Sequence, residues 1–147
     1  EAVKAITSKK YDFILINLSN ADMIGHTGNL KSAKKAIRYI DKCAYKIAKA
    51  SLRVGGDAII TADHGNAEEM IRDGKKLTSH TLSKVSCILV SKKYKNISLR
   101  NGKLSNISPT VLDILGLNKP KEMTENSLII WFCFVNLEYS YIITKML

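Results

Sequence analysis

The segment AIITADHGN, at residues 58–66, joins an apolar run to a loop that carries an acid and an imidazole. The run from Ala58 to Ala62 is almost free of polar side chains, which is typical of a strand buried on both faces of a sheet. Asp63 and His64 follow directly, and Gly65 indicates a turn. This segment therefore predicts a buried strand that ends in two polar side chains.

A second apolar run, FILINL at residues 13–18, predicts another buried strand, and the glycine-bearing segment 19–29 after it predicts a loop. Residues 2–8 resemble the end of a helix. Apolar residues then recur at helical spacing and predict an amphipathic helix that ends near Gly55: Ala33, Ile37, Ile40, Ala44 and Ile47. Strand, helix and strand form a βαβ unit, in which the two strands run parallel.

Further elements are indicated on the carboxyl side of this unit. Asp73-Gly74 predicts a turn, residues 85–90 a third strand, and 91–105 another loop. Ser108-Pro109 opens a short helix over 110–115. We therefore expect an α/β fold with a mostly parallel sheet, in which loops meet at the carboxyl ends of the strands.

Length and composition indicate a folded domain. The chain has 147 residues, close to one domain at roughly 150 residues per domain. The hydrophobic share of 46% and the charged share of 24% exclude a disordered, collagen-like or disulfide-scaffold protein. The three cysteines form no C-x-x-C pair and no secretory leader is visible, so we expect a cytoplasmic protein. Because residue 1 is Glu, we expect a cut or processed start.

The formal net charge of +10 would suit a nucleic acid, a membrane surface or an anionic metabolite. The lysines of the predicted long helix are explained by a solvated face. Aromatic residues for base stacking are scarce there, so we expect no nucleic-acid partner.

The aromatic-rich end of the chain, residues 131–147, departs from the α/β pattern of residues 1–130. Asn136 and Glu138 lie in its middle, where burial in a bilayer is costly, and this disfavours a membrane anchor. We expect an appended strand or a poorly ordered tail of unknown role.

The three histidines all lie in predicted polar loops, and two of them have a carboxylate nearby. Because parallel strands bring such loops to one edge of a sheet, five oxygen and nitrogen ligands could converge there: Asp22, His26, Asp63, His64 and His80. This set suits manganese or zinc. The alternative is that these histidines are solvated or capping residues.

Several motifs, in matching order and spacing over residues 1–130, resemble those of the cofactor-independent phosphoglycerate mutases of the alkaline phosphatase superfamily. The motifs are YDFI at 11–14, NADMIGHTGN at 20–29, ADHGNAE at 62–68, SHT at 79–81, ISPTVLDILGL at 107–117, EMT at 122–124 and SLI at 127–129. The chain resembles the carboxyl-terminal part of the family's phosphatase-like domain.

This resemblance implies part of a three-layer alkaline-phosphatase-like fold and a two-manganese enzyme. Such an enzyme interconverts 3-phosphoglycerate and 2-phosphoglycerate in glycolysis through a phosphoserine, and we expect it to be a cytoplasmic monomer when complete. By the resemblance, Asp22, His26 and His80 hold one Mn²⁺. Asp63 and His64 hold the other, together with an aspartate and the nucleophilic serine near the family's amino terminus.

The nucleophilic serine has no counterpart in a matching context here, so no catalytic residue is assigned in this chain. Two hypotheses follow: the chain is the metal-binding part of a phosphoglycerate mutase, or a non-catalytic, truncated metal-binding fragment. Within the enzyme class, the alternative is another metal-dependent phosphatase or mutase of the superfamily. We expect the isolated chain to bind one ion weakly and to turn over nothing.

Overall fold

The computed structural model describes residues 1–95, 97–131 and 142–146. The chain divides into two compact units. The first comprises residues 1–56 and 64–85, and the second comprises the described residues of 57–63 and 86–147.

Helices dominate the first unit. Helix α1 spans Ala2–Ser8, α2 spans Asn20–Gly25 and α3 spans Leu30–Arg53. The Asn29 side chain caps α3 by accepting a hydrogen bond of 3.1 Å from the Ser32 backbone N–H. Both α1 and α2 pack against α3. The first and third helices confirm the sequence prediction, whereas α2 forms inside the segment predicted as a loop.

The FILINL segment, residues 13–18, does not form the predicted strand. Its side chains are exposed or half-buried, with Phe13 55% and Leu15 85% exposed. An apolar run becomes a strand only when a neighbouring strand pairs with its backbone, and no such neighbour exists among the described residues. The prediction of a buried strand is therefore wrong for this chain. The apolar pattern indicates a segment that would be buried in a sheet, but it does not show whether a partner strand is present.

A short hairpin and an isolated bridge shape the rest of the first unit. Strands β2, Ile71–Arg72, and β3, Lys75–Lys76, pair antiparallel around a turn with positive φ at Asp73 (51°) and Gly74 (73°). This confirms the predicted turn, since Asp-Gly suits the two left-handed positions. Beyond β3, the Thr81 N–H donates to the Gly65 carbonyl at 2.8 Å and joins segment 64–66 to segment 80–83.

The second unit contains an antiparallel sheet in the order β1-β4-β7. Its strands are β1, Ala58–Ile60, β4, Ser86–Val90, and β7, Ile142–Met146. The register places Ile59 opposite Leu89. The prediction of a mostly parallel sheet is wrong for the described pairings. It depended on FILINL as the first strand of a βαβ unit, and an apolar run indicates burial but no strand direction.

Strand β7 lies within the predicted tail, so part of that tail is a strand appended to β4. Asn136 and Glu138, which disfavoured a membrane anchor, lie outside the described residues. In the described part of the chain, no helix combines the length and the hydropathy that crossing a bilayer requires.

The remaining elements enclose the core of the second unit. Strand β5, Ile97–Leu99, pairs antiparallel with β6, Ile129–Trp131, and a 3₁₀ turn at Leu104–Asn106 leads into α4, Ile107–Leu115. Strand β5 and the 3₁₀ turn occupy a predicted loop, whereas α4 confirms the predicted short helix. The main core residues are Cys87, Leu89, Tyr94, Ile97, Leu99, Leu128 and Ile129.

Candidate metal centre

Helix α2 carries two of the predicted ligands. Asp22 lies in its first turn, and His26 is the residue that caps its carboxyl end. A spacing of four residues places two side chains on the same face of a helix, so both point to the same region. His80 is carried by the segment after β3, which the bonds Leu77 N–H to Met70 O (2.9 Å) and Thr81 N–H to Gly65 O (2.8 Å) hold in place.

Three ligand atoms of this unit converge. The Nε2 atoms of His26 and His80 are 3.1 Å apart, and each lies 3.3 Å from Asp22 Oδ1. An ion with bonds of ~2.1 Å separates neighbouring ligand atoms by about 3.0 Å in octahedral and about 3.4 Å in tetrahedral geometry. The observed distances lie within this range, so the three residues fit a divalent metal ion.

The tautomer of His26 is set by a backbone contact. Its Nδ1 lies 2.6 Å from the Thr78 carbonyl oxygen, and because a carbonyl only accepts, Nδ1–H is the donor. The lone pair of neutral His26 is therefore on Nε2, which faces Asp22 and His80. A metal-ligating histidine characteristically donates its other N–H to a carbonyl or carboxylate in this way.

The surroundings of Asp22 favour the ionised form of its carboxyl group. A hydrogen bond from Asn66 lowers the pKa of Asp22 below its usual value, burial partly opposes this, and the neighbouring histidines lower it further. The Asn66 Nδ2 donates to Asp22 Oδ1 at 2.6 Å. A carboxylate oxygen and two imidazole nitrogens that all offer lone pairs repel one another unless a cation or a shared proton lies between them.

The structure does not group all five predicted ligands. Asp22, His26 and His80 form the cluster, and the His64 ring stacks on His80 with centroids 3.6 Å apart. Asp63 belongs to the second unit and is not a member of the cluster. Metal binding by Asp63 and His64 remains a prediction.

Two residues that contact the cluster, Asn66 and Thr78, were not identified from the sequence. Thr78 acts through its backbone carbonyl, so its side chain carries no signal. Asn66 stands in the ADHGN motif, but nothing in the pattern links it to Asp22, 44 residues away. Both contacts follow from the fold of the first unit.

A carboxylate and two imidazoles grouped in this way are ligand types that divalent metal ions accept. The chain belongs to the metalloenzyme superfamily, whose family profile matches residues 1–119. The chain is 47% identical to 2,3-bisphosphoglycerate-independent phosphoglycerate mutase 2 of Methanosarcina barkeri. This alignment extends over 132 residues and covers 88% of this chain. The corresponding mutase of Clostridioides difficile is 45% identical over the same length. These relatives confirm the predicted resemblance to the cofactor-independent mutases.

A solved structure agrees with the sequence relatives. The chain matches a Leishmania mexicana phosphoglycerate mutase, crystallised at low cobalt concentration, with a TM-score of 0.80 and 33% identity. The match covers 89% of this chain and 27% of the mutase. It confirms the predicted phosphatase-like α/β class, present as a partial domain. This chain spans about a quarter of the length of the curated relatives it matches.

Proposed function

We propose that this chain is the metal-binding part of a 2,3-bisphosphoglycerate-independent phosphoglycerate mutase, and that Asp22, His26 and His80 hold one Mn²⁺. The observation that carries the proposal is the convergence of three potential ligand atoms, Asp22 Oδ1, His26 Nε2 and His80 Nε2, at 3.1 Å and 3.3 Å from one another. Such an arrangement is stabilised by a cation. The match to mutases, one of them crystallised with cobalt, supports a divalent ion and a phosphoglycerate substrate.

Each residue has a distinct part in this proposal. Asp22 supplies negative charge, which its lowered pKa preserves at neutral pH. His26, held by Thr78, and His80 supply neutral nitrogen ligands that favour a transition metal over calcium or magnesium. A bound divalent ion neutralises phosphoryl oxygens and lowers the pKa of an attacking hydroxyl. Three protein ligands leave positions open for water or phosphate.

The complete enzyme extends beyond what this chain spans. In the proposal, Asp63 and His64 contribute to a second Mn²⁺ site whose other ligands lie in the part of the mutase that this chain does not include. The whole protein interconverts 3-phosphoglycerate and 2-phosphoglycerate in glycolysis, as a cytoplasmic monomer. Because no serine here has a matching context for the phosphoserine step, the 147-residue chain alone turns over nothing.

A non-catalytic metal-binding fragment is the second candidate function. The observation behind it is the FILINL segment, whose Leu15 is 85% exposed although the pattern indicates burial, as in a chain that lacks the rest of its sheet. The reading frame upstream of Glu1 separates the two candidates. A frame that continues into a ligand aspartate and a serine loop supports the mutase, and an early stop codon supports the fragment.

The metal proposal is tested by elemental analysis of manganese per chain after dialysis near pH ~7.5, where imidazoles are mostly neutral. The native chain is compared with His26→Ala and Asp22→Asn. Asp73→Asn is a matched control, because Asp73 lies in the β2–β3 turn at φ 51° and asparagine tolerates this conformation. Circular dichroism checks that each variant is folded.

We expect one ion per chain in the native protein and in Asp73→Asn, and loss of the ion in His26→Ala and Asp22→Asn. A folded native chain without manganese would contradict the proposal. Equal manganese content in all four proteins would also contradict it, since the ion would then lie elsewhere.

A further inference from the structure

Asn66 lies directly behind the acidic ligand. It is 4% exposed, and its Nδ2 donates to Asp22 Oδ1 at 2.6 Å and to the Asp22 backbone carbonyl at 3.4 Å. Oδ1 is also the atom that faces both histidines. A carboxylate oxygen has two lone pairs, so it can accept this hydrogen bond and still bind an ion.

The backbone of Asn66 is itself held in place. Its N–H donates to Glu68 Oε2 at 2.8 Å, which fixes the start of the side chain. Its own side-chain oxygen is buried and accepts no hydrogen bond within the described part of the chain. Rotating the amide by half a turn would aim this oxygen at the Asp22 carboxylate, which repels it. The Asn66 amide therefore keeps its hydrogen bond to Asp22, and its own oxygen is left without a hydrogen-bond donor. A buried polar atom without a hydrogen bond calls for a functional explanation.

Gly25 provides the space that Asn66 occupies. A Cβ at position 25 would lie 2.4 Å from Asn66 Oδ1 and 2.9 Å from its Cγ. Gly25 is buried in α2 and has ordinary helical geometry, so its backbone conformation does not require glycine. The close approach of Asn66 is the physical reason for glycine here.

We propose that Asn66 is a positioning residue for the metal centre: through Asp22 Oδ1 it holds the acidic ligand in line with His26 and His80, and Gly25 provides the space for it. The proposal rests on the metal site proposed above. It adds that the affinity for the ion depends on a residue that never touches the ion. The hydrogen bond is also the largest single cause of the lowered pKa of Asp22.

The test is a titration of the full chain with Co²⁺, whose visible absorption reports coordination geometry directly. Native protein, Asn66→Ala and a control are titrated at one pH. The control is Asn106→Ala, because Asn106 is a buried amide of the second unit, 6% exposed, that donates to the Asn126 carbonyl at 2.8 Å. It matches the loss of a buried amide without contacting Asp22.

We expect Asn66→Ala to weaken Co²⁺ binding by about 10- to 100-fold and to change the absorption spectrum, as the loss of a partner behind a metal ligand does. Asn106→Ala is expected to lower the unfolding temperature and to leave the dissociation constant and the spectrum unchanged. A merely structural role for Asn66 would give both variants the same behaviour.

Gly25→Ala provides an independent arm. Its methyl group pushes on Asn66 Oδ1, so we expect weaker Co²⁺ binding by itself and little additional loss in the Asn66→Ala background. If Asn66→Ala does not fold, Gly25→Ala carries the test, and native affinity in that variant overturns the proposal. Native affinity and spectrum in folded Asn66→Ala also overturn it, while the metal site stands. A native chain that binds no Co²⁺ overturns the metal site and this inference together.

Discussion

The bridge between Gly65 and Thr81 leads to a quantitative prediction for Gly65→Ala. A Cβ at position 65 would lie 2.5 Å from Thr81 Oγ1 and 3.0 Å from the Ser83 backbone oxygen. Forcing atoms into such a contact costs about 1–3 kcal/mol. Weakening the Thr81 to Gly65 hydrogen bond costs about 1 kcal/mol more. Alanine returns about 0.4–1 kcal/mol by reducing the entropy of the unfolded chain. The free energy of unfolding should therefore fall by about 2 kcal/mol.

Urea unfolding followed by circular dichroism measures this change. Gly56→Ala is the matched control, because a Cβ there meets only the Ser51 hydroxyl at 3.0 Å and the Ser51 backbone oxygen at 3.6 Å. Both contacts are longer than the 2.5 Å contact at position 65, so the control should change the free energy of unfolding by less than about 1 kcal/mol. If Gly65→Ala were as stable as Gly56→Ala, the segments around Gly65 and Thr81 would not approach each other as described. The position of His80 beside Asp22 would then be wrong as well.

Three other outcomes are expected. Metal affinity should fall between about pH 7.5 and pH 5.5, because imidazoles bind metal only when deprotonated, and constant metal content over this range would exclude histidine ligands. The pKa of Asp22 is lowered below its usual value, so its carboxylate stays ionised over this pH range and does not cause the fall. Thr110→Val should lower the free energy of unfolding by about 1–3 kcal/mol. The substitution removes the hydrogen bond that the Thr110 hydroxyl donates to Asn106 O (2.7 Å) and the one it accepts from Leu128 N–H (2.8 Å). Urea unfolding measures this free energy, and an unchanged value would refute the prediction. The exposed apolar FILINL segment predicts that this chain self-associates. Leu15→Lys should reduce this self-association in sedimentation experiments and change the free energy of unfolding by less than about 0.5 kcal/mol, because Leu15 is 85% exposed; equal self-association of both proteins would show that the FILINL segment is not the contact.

Local signals in the sequence predicted local structure well. Helix α3 follows from its apolar spacing and the β2–β3 turn from Asp73-Gly74, since both depend on neighbouring residues only. The direction of the strands could not be predicted from the sequence, because an apolar run indicates burial but not whether the neighbouring strand is parallel or antiparallel. FILINL shows this most clearly, because its pattern suits a sheet interior that these residues do not complete.

In the candidate site, too, some residues could be identified from the sequence and others could not. Asp22, His26 and His80 were candidates in the sequence because carboxylates and imidazoles are recognisable ligand types, and the structure brings these three together. Asn66 and Thr78 could not be identified in this way, since an amide and a backbone carbonyl acquire their roles only through contacts made across the fold.

The proposed metal centre is tested most directly by the manganese anomalous signal from crystals of this chain grown with Mn²⁺. We expect a peak bonded to Asp22 Oδ1, His26 Nε2 and His80 Nε2, at the ~2.1–2.2 Å typical of nitrogen and oxygen ligands. A peak at other residues, or none in crystals with the site open to solvent, would contradict the assignment of these three residues as the metal centre.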